Sequence, residues 1–214
     1  VGDRSTVADA LAIIERYEID LPASAQTVLK GPSGVIAPGD ERLSRTTDTI
    51  IAAPSQSLDA AKLIAEEEGL AVTILGDAIE GEARDLATEQ AALALKMQSE
   101  ITSPHLLLSG GECTVTSTGN GVGGPNAEYA LGLAIALDGQ KGIHAIACDT
   151  DGVDGAAEVA GALVTPATLA KAQAANIDPN ASLTNNDAHS FFASLDDQVI
   201  TGPTLTNVND FRAI

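Results

Sequence analysis

Residues 116–137 read TSTGNGVGGPNAEYALGLAIAL, a glycine-rich turn that leads directly into an apolar helix. Gly119, Gly121 and Gly124 match the spacing G-x-G-x-x-G. Glycine lets a backbone approach an anion closely, and the first N–H groups of a helix carry partial positive charge. Three interpretations fit this pattern: a tight turn without a ligand, a phosphate or carboxylate site, and a dinucleotide site.

Around this turn, segments of strand length alternate with segments of helical periodicity. Helices are predicted at 55–69, 81–101, 126–139, 165–177 and 186–195. Strands are predicted at 48–53, 70–76, 105–111, 113–118 and 142–152, with edge strands at 161–164 and 198–200. The alternation is typical of an α/β protein with a mainly parallel or mixed sheet flanked by helices. Ligands of such sheets gather at the carboxyl ends of strands, which favours sites at 109–112, 119–126 and 149–155.

The N-terminal part of the chain holds too little apolar surface to form a core of its own. A helix is predicted over 5–18, opened by a capping box of Thr6 and Asp9, and a second short helix follows before a Gly-, Pro- and Ser-rich connector. We therefore divide the chain into a helical segment with linker, 1–47, and an α/β domain, 48–214. The chain begins with Val and not Met, so we expect it to be part of a longer protein.

The composition argues against several classes of partner. The 214 residues include 30 Asp and Glu against 11 Lys and Arg, a formal net charge of −19. Such a surface repels nucleic acid and anionic lipid, so neither nucleic acid nor a membrane is an expected partner. No apolar run reaches the about 18 residues that a membrane span requires. Cys113 and Cys148 fit no zinc or disulfide pattern, which favours reduced thiols and a cytoplasmic location.

A run of acids follows the predicted strand at 142–152. The sequence DTDGVDG places Asp149, Asp151 and Asp154 within seven residues that also contain two glycines. Hard cations such as Mg²⁺ prefer oxygen ligands of this kind, and phosphate oxygens can complete their coordination. An ordinary Asp/Gly turn with solvated acids is the alternative interpretation.

Two further segments carry groups suited to small polar ligands. Ser109, Gly110, Gly111 and Glu112 are predicted to follow an apolar strand, where Glu112 could face a metal ion or a hydroxyl group. A turn with an exposed Glu explains them equally well. Near the end of the chain, TGPTLTNVNDFRAI is rich in Asn and Thr, which suit both hydroxyl ligands and turns. The three histidines show no ligand spacing and are expected to be structural.

Four ordered motifs together resemble one family. They are LLSGGECTVTSTGNGVGGPNAEYALGLAIAL, DTDGVDGAAEVAGALV, NNDAHSFF and TGPTLTNVNDFRAI, and they look like the MOFRL region of type-2 glycerate kinases. The segment IIAAPSQSLDAAKLIAEEEGLAVTILGDAIEGEARDLA is similar to the sequence just upstream of that region, and VGDRSTVADALAIIERYEIDLP to the end of the preceding domain. The resemblance therefore covers essentially the whole chain. Several motifs in a fixed order are far more specific than one glycine loop.

The resemblance implies a fold, an activity and partners. Type-2 glycerate kinases transfer the γ-phosphoryl group of ATP to the 2-hydroxyl of D-glycerate, with ATP and Mg²⁺ as expected cofactors. They are about twice this length and carry an N-terminal Rossmann-like domain with a catalytic lysine. This chain then corresponds to a C-terminal fragment with a MOFRL-type domain, is expected to be inactive alone, and has the missing domain as a partner. The resemblance leaves the oligomeric state open, a homodimer included.

The resulting site hypothesis uses all of these segments. Glu112, Asp149 and Asp151 are the expected catalytic residues, and Asp149, Asp151 and Asp154 the expected metal ligands. The glycine turn and the helix start are expected to hold the anionic end of glycerate or the phosphate. The expected binding residues are Ser109, Gly110, Gly111, Gly119, Gly121, Gly123, Gly124, Asn126, Asn207 and Asn209.

Three departures from the family pattern keep other functions open. The family usually has Arg at the position of Val122, often Arg at Pro125, and tends to have Gly at Leu205. Valine cannot clamp phosphate as arginine does, which favours a non-catalytic small-molecule-binding domain as one alternative. An NAD(P)H-dependent hydroxypyruvate reductase, the name common in the most similar subgroup, is another. It requires a fully parallel sheet with Asp149 beside the ribose, whereas the alternating segment CTVTST argues against a central Rossmann strand.

Overall fold

The structure is a computed structural model that describes all residues from Val1 to Ile214. The chain forms two compact units, Val1–Ile51 and Ala52–Ile214. The first unit contains α1 (Val7–Arg16), α2 (Ala23–Lys30) and a short 3₁₀ helix, Glu41–Leu43. The capping box that opens α1 is confirmed, since Thr6 and Asp9 bond each other's backbone N–H. Neither helix buries a residue, so local capping and turn bonds define this unit more than packing does.

The second unit alternates helices and strands along the chain. The helices are α3 (Pro54–Glu67), α4 (Ala83–Glu100), α5 (Pro125–Leu137), α6 (Thr168–Ala174), α7 (Pro179–Thr184) and α8 (Ala188–Leu195). The strands are β1 (Ala71–Glu82), β2 (His105–Thr114), β3 (Ala145–Asp149), β4 (Gly161–Val164), β5 (Gln198–Val199) and β6 (Asp210–Ala213). The α/β class is confirmed. None of the helices is both long and apolar enough to traverse a membrane.

The six strands form one mixed sheet in the order β1-β2-β6-β3-β4-β5. Only β1 and β2 pair in parallel, while β6, β3, β4 and β5 pair with their neighbours antiparallel. Of the two predicted arrangements, mainly parallel or mixed, the structure has the mixed one. Asp210 at the start of β6 lies opposite both Gly111 of β2 and Asp149 of β3. The carboxyl ends of β2 and β3 therefore share one edge of the sheet.

The strand predictions are wrong in two places. Residues 48–53 form no strand, and their two isoleucines, Ile50 and Ile51, are 81% and 90% exposed. The two strands predicted over 105–118 are instead one continuous strand, β2, which ends at Thr114. Pairing with β1 continues from His105 to Thr114 across register shifts in β1, so the double glycine does not end the strand. Ser109–Glu112 consequently lie within β2 and not in a loop beyond it.

Helix α5 lies at the centre of the core. It packs against α4 and against β2, β3 and β4, and ten of its thirteen residues are buried. A helix that is apolar on all sides is stable only when it is surrounded by protein. Its close approach to α4 depends on Gly132, where an added Cβ would lie 3.1 Å from the Ala87 side chain. The buried core is aliphatic and rich in Ala and Leu, as the low aromatic content predicts.

Substitution of Gly111 tests how closely β1 and β2 approach each other. Its φ is +126°, and a Cβ there would overlap the backbone of Ile79. Gly81, in the same strand pair, has a similar φ of +143°, but an added Cβ there would meet no atom within 4 Å. We expect Gly111→Ala to lower the free energy of unfolding by about 1–3 kcal/mol more than Gly81→Ala, because only the former overpacks the core. Chemical denaturation of both variants checks this, and equal losses would contradict the close packing.

Candidate active site

The glycine loop, residues 118–124, packs against its own chain. A Cβ on Gly119 would overlap the backbone of Asn185, and one on Gly121 would overlap Asp187. A Cβ on Gly124 would overlap the carboxylate of Asp154. Each glycine of the G-x-G-x-x-G pattern is therefore required by a protein neighbour, and the places where a pyrophosphate would approach are filled.

Most amides of the glycine loop donate to the asparagine turn, which we define as residues 185–187 between α7 and α8. Two of these amides share one acceptor, the side-chain oxygen of Asn186. The bonds are Thr118 N and Gly119 N to Asn186 Oδ1 (2.8 and 2.9 Å), Asn120 N to Asn185 Oδ1 (3.1 Å), Gly121 N to the Asn185 carbonyl (2.9 Å) and Val122 N to Asp187 Oδ1 (2.9 Å). Only the amides of Gly123 and Gly124 donate to no group of the chain.

The start of α5 holds an anion that belongs to the protein itself. The backbone N–H groups of Asn126 and Ala127 donate to the two carboxylate oxygens of Asp154 at 2.9 and 2.8 Å. The Asn126 side chain lies 3.3 Å from Oδ1, and His189 Nε2 lies 3.2 Å from Oδ2. A carboxylate at this position satisfies free N–H groups and complements the helix dipole. The expectation that these amides hold substrate is therefore corrected, because an internal carboxylate occupies them.

Asp154 also differs from its predicted role as a metal ligand. Its side chain is 1% exposed, and four nitrogen groups surround its two oxygens. An ionised carboxylate offers about four lone-pair sites, so none is left for a cation. The structure gives Asp154 the role of a buried helix cap.

The remaining acids do come together with the predicted asparagines. The Asp151 amide donates to Asp149 Oδ1 at 3.0 Å, and Asn207 Nδ2 donates to Asp151 Oδ2 at 2.9 Å. The Asn209 amide in turn donates to Asn207 Oδ1 at 2.9 Å. These residues lie where β3 ends and β6 begins. We call residues 149–155 the acid loop.

A second set of bonds ties the acid loop to the segment before β6. Thr204 donates its amide to the Asp151 carbonyl at 3.0 Å, and the Val208 amide donates to Thr150 Oγ1 at 2.8 Å. Leu205 lies at the tip of this segment, 97% exposed and with a φ of +63°. Left-handed backbone is costly for leucine and free for glycine, so the Gly expected there by family resemblance has a backbone reason.

The electrostatics of the acid loop favour a bound cation. Burial, together with the charges of Asp151 and Asp210, raises the pKa of Asp149 to about 6, although the hydrogen bond from the Asp151 amide opposes the shift. A carboxylate that resists ionisation for these reasons is stabilised when a positive charge approaches. No set of three or more His, Cys, Asp or Glu side chains is arranged around one metal position. A cation here would therefore have at most two carboxylates from this chain.

Several predicted site residues lie elsewhere. Ser109 is buried, 3.4 Å from Gln90 and from Arg212, so it belongs to the core. Gly110 and Gly111 are buried in β2 between neighbouring strands. Glu112 is exposed on β2 opposite Glu80, and no hydrogen bond joins it to the acid loop.

A buried polar network lies beneath the acid loop, and sequence reasoning missed it. Arg212 is fully buried, 3.0 Å from Asp210 and stacked 5.5 Å from the Tyr129 ring centre. Asp210 accepts a 2.7 Å hydrogen bond from the Asn126 side chain, which joins the network to the start of α5. The signal that could have revealed it is DFRA in the last strand, where Asp and Arg two residues apart share one face.

One cavity lies at the opposite edge of the sheet. It has a volume of about 480 Å³ and opens beside His105 and His144, where β2 and β3 begin. No predicted site residue lines it. The polar groups that could act on a substrate are at the other edge, so we place the candidate site at the acid loop and not in this cavity.

Comparison with known proteins gives the family. Residues 105–210, which include β2, the glycine loop, α5 and the acid loop, match the MOFRL family. Residues 105–210 belong to the MOFRL family. This region of the MOFRL chain holds all of the predicted site residues.

Relatives of this MOFRL chain carry two different names. It is 48% identical to an Agrobacterium vitis protein provisionally named hydroxypyruvate reductase, over 100% of this chain and 49% of that protein. It is 34% identical to the D-glycerate 2-kinase of Thermotoga maritima, over 97% of this chain and 49% of the kinase. The crystal structure of a Thermotoga maritima glycerate kinase superimposes with a TM-score of 0.83 at 32% identity, over 99% and 50% of the two chains. The MOFRL chain thus spans about half the length of these relatives.

Asp154→Ala tests the internal anion at the start of α5. The substitution leaves buried N–H groups without an acceptor, each costing about 1–3 kcal/mol, so we expect the free energy of unfolding to fall by at least about 3 kcal/mol. Asp178 caps α7 with the same chemistry in an exposed setting, and Asp178→Ala should cost about 0.5–2 kcal/mol. Urea denaturation of the two variants gives the comparison. An equal loss would show that Asp154 is an ordinary surface cap.

Asp149 should titrate near pH 6 in the metal-free protein. Its folded pKa is raised, so its contribution to stability is complete below about pH 4 and is lost as the pH rises through about 6. The unfolding free energy of the wild type should therefore fall, relative to Asp149→Asn, between about pH 4 and 6. Carboxyl-carbon NMR in the presence of a chelator measures the midpoint directly. A midpoint near 4 would remove the electrostatic argument for a cation at this position.

Proposed function

We propose that the chain supplies the metal- and hydroxyl-binding part of a glycerate 2-kinase, which transfers the γ-phosphoryl group of ATP to the 2-hydroxyl of D-glycerate. The observation that carries the proposal is the cluster of Asp149, Asp151 and Asn207 at the carboxyl end of β3. Phosphoryl transfer needs groups that position the reactants and neutralise charge more than it needs a covalent nucleophile. The similarity to glycerate kinases along the whole chain supports the same conclusion.

Asp149 and Asp151 fit the ligand requirements of Mg²⁺. This cation is usually held by one or two carboxylates, with phosphate oxygens and water completing its shell. The two aspartates provide that number two residues apart at the end of β3, and Asp154 is not needed. Bound Mg²⁺ would supply positive charge to the phosphate groups, which an acidic chain otherwise repels.

The remaining side chains have two roles: the asparagines hold Asp151 in place, and Asp149 acts on the substrate. Asn207 fixes the carboxylate of Asp151 through its amide nitrogen, and Asn209 fixes the amide oxygen of Asn207. Asp149 orients the 2-hydroxyl and accepts its proton as the new P–O bond forms and the bond to ADP breaks. Mg²⁺ bound at this carboxylate would favour its ionised form, which is the form that accepts a proton.

The anionic end of the substrate needs donors that the glycine loop supplies only in part. Of the two amides without a partner in the chain, that of the partly exposed Gly123 is the one available to it, because Gly124 is buried against Asp154. Val122 is half exposed, and its backbone is held by Asp187 and His189. Because the side chain of valine is apolar, this position supplies no positive charge. Glu112 stays a proposed site residue, as an exposed acid at the end of β2.

The reductase alternative has less support. It requires a fully parallel sheet, whereas four of the five strand pairings are antiparallel. It also requires space beside the glycines, which the asparagine turn and Asp154 fill. The name of some relatives is the observation in its favour.

The decisive assay uses the full-length protein with ATP, Mg²⁺ and D-glycerate. We expect ADP and 2-phosphoglycerate in equal amounts, and a fall in kcat of about 100-fold or more in Asp151→Asn, because loss of a charge that positions the reactants is worth that much. Asp178→Asn makes the same chemical change on the exposed cap of α7 and should leave kcat unchanged.

Two results would overturn the proposal. Absence of ADP formation by the wild-type protein removes the kinase. Oxidation of NADH on addition of hydroxypyruvate, without phosphotransfer, replaces it with the reductase.

A further inference from the structure

His189 contacts both loops of the candidate site from one position in α8. Its backbone N–H donates to the carbonyl of Val122 in the glycine loop at 3.0 Å. Its ring Nε2 lies 3.0 Å from the backbone carbonyl of Asp154 in the acid loop and 3.2 Å from the Asp154 carboxylate. The side chain is only 3% exposed. A histidine without ligand spacing in the sequence therefore bridges the two segments that approach the substrate.

The hydrogen-bond partner of the His189 ring determines which of its two nitrogens carries hydrogen. A carbonyl oxygen only accepts, so the hydrogen bond to Asp154 requires a proton on Nε2 of His189. The same N–H faces the carboxylate of Asp154, and the ring thereby holds both the backbone and the side chain of this residue. Nδ1 is buried without a hydrogen-bond partner, so the ring's contact with protein polar groups runs entirely through Nε2.

The segment that carries His189 already holds the glycine loop firmly. Asp187 accepts a hydrogen bond from the Val122 amide, and His189 donates to the Val122 carbonyl, so both sides of one residue are fixed. The acid loop is held by bonds to its own aspartates and by the segment before β6, neither of which belongs to α8 or the glycine loop. The ring of His189 connects the acid loop to the start of α8, which also holds the glycine loop.

We propose that His189 is a positioning residue that sets the separation between the acid loop and the glycine loop. The inference rests on the proposed function, in which Asp149 and Asp151 act on the same substrate as the amide of Gly123. Without the Nε2 hydrogen bond, the Asp154 carbonyl loses its partner on α8, while the Asp154 amide stays bonded to Val159 and the carboxylate to the start of α5. The carbonyl side of this peptide is then held less tightly, and the acids that precede it are positioned less precisely. Small misplacement of reacting groups lowers the rate strongly while it leaves ground-state binding little changed.

Three variants separate this role from simple core packing. His189→Gln keeps a side-chain N–H at the distance of Nε2, whereas His189→Asn is also polar but one carbon too short to reach Asp154. Gln198→Leu is the matched control, because Gln198 bonds the carbonyl of His189 at 3.1 Å without touching Asp154. Both substitutions at 189 place an amide in the same buried site, so a difference between them reports reach and not polarity.

The first readout is amide hydrogen exchange in the present chain. The amides of Gly152, Val153 and Asp154 are all hydrogen-bonded in the structure. In His189→Asn we expect their exchange to be about tenfold or more faster, while α5 keeps its wild-type protection, because the loop opens locally. His189→Gln and Gln198→Leu should exchange within about threefold of wild type at these positions.

The second readout is steady-state kinetics of the full-length protein with ATP, Mg²⁺ and D-glycerate. We expect kcat to fall by about 10–100-fold in His189→Asn with both KM values within about twofold, and His189→Gln to recover most of kcat. Equal behaviour of the Gln and Asn variants, whether both are active or both impaired, overturns the proposal. So does faster exchange of the acid loop in Gln198→Leu equal to that in His189→Asn. If the wild-type protein transfers no phosphoryl group, the proposed function fails and the exchange contrast alone decides the role of His189.

Discussion

The carboxylate of Asp154 occupies the start of α5, and much of the second unit is arranged around that contact. The helix is buried on nearly all sides, so its first N–H groups have no water to bond and need an acceptor from the protein. Asp154 meets this requirement, and its approach leaves no room for a side chain at Gly124. His189 and Asn126 then pair with the same carboxylate, so one buried charge determines the identity of several neighbours.

This arrangement changes what the glycine loop can do in the proposed reaction. A glycine-rich turn before a helix is a familiar anion site because its amides are free, but here most of those amides are bonded to the asparagine turn. The chain carries strong negative charge, and its buried arginine is already paired with Asp210. Charge neutralisation of a phosphorylated substrate therefore depends on a cation at the acid loop or on groups outside this chain.

The buried polar groups also explain why the site can be rigid without a large aromatic core. Arg212, Asp210 and Asn126 connect β6 to the start of α5 through short hydrogen bonds. Such groups cost free energy to bury, and they are tolerated only when nearly every donor and acceptor has a partner. Their partners come from β2, β6, α5 and the acid loop, so the network holds together the elements that carry the proposed site residues.

Sequence alone determined the α/β class, the central apolar helix, the capping box of α1, the family, and the closeness of Asp149, Asp151 and Asn207 at one sheet edge. These follow from local periodicity, motif order and the rule that strand ends gather. Sequence could not determine what faces each glycine. The partners are Asn185, Asp187 and Asp154, which lie about 30 to 70 positions further along the chain, after α5. Only the tertiary structure decided that the expected anion is an internal carboxylate, and that β2 continues through its glycines, because both depend on contacts between segments distant in sequence.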